Sequence, residues 1–374
     1  MGSISVRSGQ EADYEICFSR NIFDVDNNIL LNGRDEASRN CLIVVDENVY
    51  SLHAEKINLY FTENVISFRL VLARGGESNK TLHSFLRLFD AINDYPLNRR
   101  NEPLIIIGGG VVTDVTAFSA SCFRRGLPHI KVPTTLMGYV DAAIGIKNGI
   151  NYGKDKNRMG AFYPPISVVL DRSFISSQAV RDISNGIGEV IKIALIKNVS
   201  LFEDMECHIV KMIQNRFQCA LSETLLRQAV IDMLEELSPN LYETQLERLA
   251  DFGHTFSLAF EMHSAGNILH GEAVAMDMLV SCQLSYQRHW LSADDFNRVL
   301  SLICAAGIHM DLSLISAELL WGSLCERVLH RNGLQRVPLP DRIGHGRMVN
   351  DLAYEEVVAA AAAIGSLAYA VEEC

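Results

Sequence analysis

The chain has 374 residues, of which 48% are hydrophobic, and a net charge of −12 at pH 7. That length and apolar fraction supply cores for two domains rather than one, and the acidity excludes a general nucleic-acid surface. No apolar run approaches the roughly 18–20 residues that span a bilayer. Residues 1–15 carry no basic-then-apolar secretion pattern, and the nine cysteines, without CxxC spacing, fit reduced thiols. A cytoplasmic protein with no membrane partner is expected.

The first half alternates short β-branched runs with amphipathic stretches, as βαβ units on a parallel sheet do. Strands are predicted over 41–45, 66–72, 104–107, 130–132 and 166–170, a helix over 81–93, and another helix from near Asp114. Past about Ser177 the texture changes. Helices are predicted over 189–197, 225–237, 256–262, 273–286 and 354–363, and strand patterns almost vanish. The expected architecture is an α/β nucleotide domain over 1–177 and a helical domain over 178–374, with the active site in the cleft between them.

The apolar run at 104–107 leads straight into Gly108, Gly109 and Gly110. Glycines let a backbone approach a pyrophosphate, and the N–H groups at a helix start favour its charge. The usual GxGxxG fingerprint is absent, because Thr113 holds the sixth position; a tight turn without a ligand fits the triplet equally well. Asp46 ends one strand and Thr134 and Thr135 follow another. Such residues commonly cap helices, but three features at strand ends together point to a nucleotide crevice.

Lys147, Lys154, Lys156 and Arg158 fall within twelve positions, interleaved with glycines. In so acidic a chain this suits a phosphate, with a solvated loop as the alternative. Apolar Ile144, Ile146 and Ile150 argue for partial burial. Further on, Glu189 and Lys192 lie three apart on one helix face, and His254 and His270 each adjoin a glycine. One carboxylate and two imidazoles leave a coordination position open, as a catalytic zinc site requires. Spacing alone leaves a helix cap or a satisfied core histidine as the commoner reading. His263, without an adjacent glycine, is read as structural.

These motifs occur in a familiar order. The glycine run to Asp114, Arg125-Gly126, the Val-Pro-Thr-Thr stretch through Thr135, Val140-Asp141, Lys147, Lys156-Asn157, Gly188 to Lys192, Gly253-His254-Thr-Phe256 and His270-Gly-Glu272 together resemble the 3-dehydroquinate synthases of the sugar phosphate cyclase superfamily. The resemblance covers roughly 44–351. It implies a Rossmann-like α/β N-terminal domain, an α-helical C-terminal metal-binding domain, NAD, and a divalent metal, usually Zn²⁺ with Co²⁺ an alternative. By the same resemblance Glu189, His254 and His270 hold the metal. Asp46, Glu77, Lys80, Gly109, Gly110, Asp114, Thr134, Thr135, Lys156, Phe174 and Ser177 line NAD. Asp141, Lys147, Asn157, Lys192, Arg248 and Asp251 serve the substrate. A homodimer is implied, with Arg125 reaching a phosphate across the interface.

Departures from the dehydroquinate synthase pattern bear on the substrate. Asp251 stands where that family usually has Asn, Leu258 replaces a polar His, and the lysine expected near 231–237 is missing. A substrate carboxylate would find no partner there. These positions resemble the sedoheptulose 7-phosphate cyclases, which include the 2-epi-5-epi-valiolone synthases. They imply a carbon–oxygen lyase acting on a small sugar phosphate. The 2-epi-valiolone and desmethyl-4-deoxygadusol synthases, then dehydroquinate synthase, then a polyol dehydrogenase are the alternatives. His345 or Arg342 is expected to add a phosphate contact.

Overall fold

The computed structural model describes residues 11–31, 40–64, 66–98, 100–264 and 266–371; most of the segment read for a secretion signal lies outside the described residues. The chain divides into two compact units, Met1–Val132 with Gly145–Leu170, and Pro133–Ile144 with Asp171–Cys374. The short segment 133–144 thus groups with the helical residues rather than with the sheet that precedes it in sequence.

The first unit is built on strands β1 (Glu15–Ser19), β2 (Asn40–Asp46), β3 (Ser67–Ala73), β4 (Leu104–Gly108), β5 (His129–Pro133) and β8 (Ser167–Asp171). Their order is β1-β8-β5-β4-β2-β3. β2 runs parallel to β3 and β4, and β5 parallel to β8. Every residue of β4 is buried, the continuous apolar run of a strand covered on both faces. From β2 the chain winds outward one way to β3, and from β4 the other way to β5 and β8. The border between β2 and β4 is therefore a topological switch point, where open α/β sheets bind ligands beyond their strand ends. The loops after β2 and β4 carry Asp46 and the glycine run.

Among the described residues, three α-helices accompany this sheet: α1 (Glu47–Glu63), α2 (Leu82–Asn93) and α3 (Gly110–Cys122). The sequence reading missed α1, whose seventeen residues bury only Ile57, Tyr60 and Phe61, too few to print a helical period. The cation-rich segment expected as a loop is a β-hairpin, β6 (Lys147–Tyr152) with β7 (Asp155–Phe162). Gly149 and Gly160 face each other across it, and a Cβ on either would meet the other strand's backbone at 2.6 or 2.5 Å. Glycines read as loop punctuation are here the condition for two strands to close.

The second unit is helical: α4 (Val180–Lys197), α5 (Val199–Gln214), α6 (Ala220–Leu237), α7 (Ser257–His263), α8 (His270–Gln287), α9 (Ala293–Ala305), α10 (Ala317–His330) and α11 (Tyr354–Val371). One hairpin, β9 (Val337–Arg342) with β10 (His345–Val349), breaks the pattern. Pro338 and Pro340 hid β9 from sequence reasoning, since proline is confined to strands without two bonded neighbours. α8 is buried almost end to end and packs against α4, α7, α9 and α11. No helix is long and apolar enough to cross a membrane among the described residues. The described cysteines are free.

Candidate functional site

Glu189 sits in the middle of α4, fully buried. His254 follows Gly253, whose φ of +71° lets the chain turn tightly under Val274. His270 is the first residue of α8. Glu189, His254 and His270 each offer a ligand atom within 4.8 Å of the others, a group that could hold a metal ion. His254 Nδ1–H donates to the Phe252 carbonyl at 3.0 Å, and His270 Nδ1–H donates to Glu261 Oε1 at 3.0 Å. Those bonds turn both Nε2 atoms toward one point, 3.3 Å apart and 3.8 and 3.4 Å from Glu189 Oε1.

The donors fit a divalent cation. Neither buried Glu189 oxygen has an aligned hydrogen bond, and one carboxylate and two imidazole nitrogens converge on one point. Lys192 Nζ lies 2.5 Å from Glu189 Oε2. Burial pushes Glu189 up, but Lys192 and the two imidazoles hold it well below the usual carboxylate range. Burial and Lys192 push His254 down to about 4. Burial also lowers His270, yet Glu189 and Glu261 more than offset this and hold it at about 10. Burial works against the Lys192 charge too, and Glu189 and Asp141 keep it protonated. Asp141 lies in a single π-helical turn, Gly138–Ala142, an irregularity frequent at functional sites.

Glu261 was not found from sequence, because an acid on a short amphipathic helix reads as surface. A carboxylate on the far nitrogen of a ligating histidine raises its basicity and orients its ring. Glu261→Gln is expected to weaken Zn²⁺ binding about 10–100-fold, measured by equilibrium dialysis; unchanged affinity would show that the contact is incidental. Asp277, also missed, accepts from the Phe256 and Ser257 backbone N–H groups and from Ser281 Oγ. Burial pushes it up to about 6, against these bonds and the Arg327 charge. A folded-state value above that of an unfolded aspartate means that protonation favours the fold. This contribution is full below pH about 4 and is lost as pH rises through about 6, an effect of at most about 3 kcal/mol. Asp277→Asn should flatten that part of a melting-temperature profile against pH; an unaltered slope would assign it elsewhere.

Arg248 is not an unengaged cation. It pairs with Glu243, and its Nη2 lies 2.5 Å from Asp251 Oδ1. Asp251 also meets Arg331 at 2.6 Å and Arg327 at 3.3 Å, and these three charges outweigh its burial to keep it ionised. On α6, Asp232 accepts from Asn198 and Gln228, and Glu235 and Glu236 pair with Lys197. The acids of 231–237 thus serve helix packing, and what matters there is the missing cation. His263 bonds the Ala259 carbonyl and stays outside the metal group. His345 pairs with Asp341 at 2.6 Å. Leu258 is 48% exposed.

The first unit gathers a second constellation. Lys80, 7% exposed, donates to Asp114 Oδ2 at 2.7 Å and to Asn157 Oδ1 at 2.6 Å. Asn151 bridges Glu77 at 2.7 Å and the Asn157 N–H at 2.8 Å, and Lys156 lies 4.0 Å from Glu77. Asp46 Oδ1 caps α1 through the N–H groups of Asn48 and Val49. Gly109 precedes α3 and offers no side-chain cap, so the first N–H groups of that helix suit an anion. Lys147, Lys154 and Arg158 are exposed on the hairpin, while Ile144, Ile146 and Ile150 are buried. Arg125 is exposed in a left-handed turn with φ of +66°.

In the second unit Thr135 Oγ1 accepts from the Gly138 N–H at 3.1 Å, and Thr134 is buried. Phe174 is buried, and the exposed Ser177 donates to its carbonyl at 2.9 Å.

With this geometry in place, comparison with known proteins identifies the family. Residues 70–185 match the model for the 3-dehydroquinate synthase N-terminal region and 186–328 that for its C-terminal region. The chain is 41% identical over 367 residues to a 2-epi-5-epi-valiolone synthase of Actinoplanes sp., covering 96% of this chain and 92% of that one. A demethyl-4-deoxygadusol synthase of Trichormus variabilis is 33% identical, over 96% of this chain and 89% of that one. The solved 2-epi-5-epi-valiolone synthase ValA from Streptomyces hygroscopicus subsp. jinggangensis, with NAD⁺ and Zn²⁺ bound, superposes with a TM-score of 0.92 at 35% identity, covering 97% and 99% of the two chains. A Rossmann-like α/β region followed by a helical one is the fold that the resemblance implied, and the chain belongs to the 3-dehydroquinate synthase-like family of the sugar phosphate cyclase superfamily.

Proposed function

We propose that this protein is a sedoheptulose 7-phosphate cyclase of the 2-epi-5-epi-valiolone synthase type, a phosphate-eliminating carbon–oxygen lyase that recycles NAD. The observation that carries this reading is the state of Asp251 and Arg248. Asp251 is ionised among three arginines, and Arg248 is engaged by two acids. Neither leaves a cation for a substrate carboxylate, whereas both suit a polyhydroxylated sugar. The full-length identity to 2-epi-5-epi-valiolone synthases supports the same choice.

Glu189, His254 and His270 would hold Zn²⁺, which when bound polarises substrate hydroxyls and eases their deprotonation. Asp46, Glu77, Lys80, Gly109, Gly110, Asp114, Thr134, Thr135, Lys156, Phe174 and Ser177 would hold NAD, which supplies a reversible hydride acceptor. Lys192, kept charged beside Glu189, donates hydrogen bonds to substrate oxygens. Lys147 offers its ammonium to the phosphate, whose negative charge grows as its C–O bond breaks. Asp141 and Asn157 orient hydroxyls, and Asp251 accepts from them. After hydride return the opened chain closes by an intramolecular aldol bond, so carbon oxidation state is unchanged overall and inorganic phosphate is released. Residues 1–177 form the NAD-binding domain and 178–374 the metal- and substrate-binding domain of a cytoplasmic homodimer, with Arg125 contributed to the partner's phosphate.

Purified protein with NAD, Zn²⁺ and sedoheptulose 7-phosphate is expected to release phosphate without accumulating NADH, and NMR of the cyclitol identifies 2-epi-5-epi-valiolone. Demethyl-4-deoxygadusol as product would reassign the subtype. Turnover only of the carboxylated seven-carbon phosphate would restore dehydroquinate synthase, and net NADH would indicate a polyol dehydrogenase.

A further inference from the structure

α10 and its C-cap carry a polar stripe with no part in binding the metal directly. Ser323, Arg327 and Arg331 are four residues apart and share one face. Ser323 Oγ donates to the Thr255 carbonyl at 2.9 Å. Arg327 Nη1 donates to the His254 carbonyl at 3.1 Å and its Nη2 to Asp251 Oδ2 at 3.3 Å. Arg331 donates to the same oxygen at 2.6 Å and to the Leu246 carbonyl at 2.6 Å. The Arg327 fork is itself fixed by the carbonyls of Gln335 and Arg336, at 3.3 and 3.2 Å.

All of these acceptors but one lie in 251–255 or just beyond α10. The ligand-bearing segment turns at Gly253 between a short helical turn, Leu249–Asp251, and α7. Its His254 and Thr255 carbonyls therefore need donors from elsewhere. From α8, Asp277 accepts the N–H groups of Phe256 and Ser257. The segment is thus gripped by its carbonyls from α10 and by its N–H groups from α8.

We propose that the Ser323–Arg327–Arg331 stripe is the positioning device of this site, with Arg327 its centre: one planar fork sets the His254 backbone and the Asp251 carboxylate together. The stripe holds the histidine in its ligand-ready orientation before any ion arrives. This rests on the reading of His254 as a metal ligand. A lysine in place of Arg327 keeps the charge beside Asp251 but cannot span both acceptors, because only the guanidinium presents donors in a fixed fork.

The test compares wild type with Arg327→Gln, Arg327→Lys and Ser323→Ala by hydrogen exchange on metal-free protein, Zn²⁺ equilibrium dialysis and the visible spectrum with Co²⁺. In Arg327→Gln, amides of 253–256 should exchange at least about tenfold faster. The Zn²⁺ dissociation constant should rise about 10–100-fold, as for other residues that orient a ligand, and the Co²⁺ bands should shift. Arg327→Lys and Ser323→Ala, milder changes that serve if Arg327→Gln does not fold, should move the same readouts less in the same direction. Wild-type exchange, affinity and spectrum in folded variants would overturn the proposal. So would a lower melting temperature alone, which is what a purely structural role predicts. A wild type that takes up no Zn²⁺ would overturn the metal reading, while the exchange comparison still judges the grip on the segment.

Discussion

Replacing Glu189 with glutamine is expected to abolish metal binding and turnover together, lowering kcat by about 10³-fold or more if the ion supplies several kcal/mol. The reason lies in local charge. Glu189 is fully buried, and its neighbours are the Lys192 ammonium and two imidazoles. With the carboxylate present, a dication joins one negative charge and one positive charge. Without it, the dication would sit beside an uncompensated buried ammonium, which is prohibitively costly. Glutamine keeps the shape and removes only the charge. The metal-free variant is also expected to be less stable, by up to about 3–5 kcal/mol, unless Lys192 sheds its proton. Metal analysis by mass spectrometry, activity and thermal melting check the three parts; an active, metal-free Glu189→Gln or His270→Ala protein would sink the assignment.

Gly271→Ala should be the most damaging single methyl group in the second unit. A Cβ at Gly271 would lie 1.8 Å from the Asn185 carbonyl oxygen, and one at Gly188 would lie 2.6 Å from the Gly271 carbonyl. Both obstacles are backbone, so no side chain can swing away. Asn185 Oδ1 also accepts from the Gly271 N–H at 2.6 Å. The two glycines therefore let α4 and α8 approach closely, beside Glu189 and His270, the two proposed metal ligands that those helices carry. Alanine must push the helices apart, at a cost of about 3 kcal/mol or more, and it separates the ligands by the same movement. The expected result is a lower melting temperature and a substoichiometric Zn²⁺ content. Gly322→Ala, on α10 with nothing within 4 Å of the added carbon, is the control. It should be neutral or stabilising by up to about 1 kcal/mol. Equal effects from the two substitutions would refute the close-approach argument.

Much of the architecture was legible because it rests on local patterns. A strand buried on both faces must be apolar throughout, so β4 announced itself. Elements whose burial is sparse did not, as α1 shows with three buried positions. The hairpin β6–β7 was invisible for a different reason: its glycines serve a cross-strand approach, and cross-strand partners are not neighbours in sequence. The candidate metal ligands came from the ordered motifs around them, since spacing alone favoured a cap or a core histidine. Glu261, Asp277 and Arg327 carry no such motif. Each is an ordinary charged residue until the fold sets it against His270 or the segment that carries His254.

By itself, then, the sequence determined the succession of α/β and helical regions, the switch-point loops, and the three residue types that could meet a divalent ion. Those follow from periodicity, glycine and side-chain chemistry, which are properties of the chain. Tertiary structure alone decided that Glu189 lacks aligned hydrogen bonds, that Arg248 is engaged by two acids, and that α10 grips the His254 segment. Charge balance and hydrogen-bond satisfaction depend on which distant residues meet, and 73 positions separate Arg327 from the carbonyl it holds.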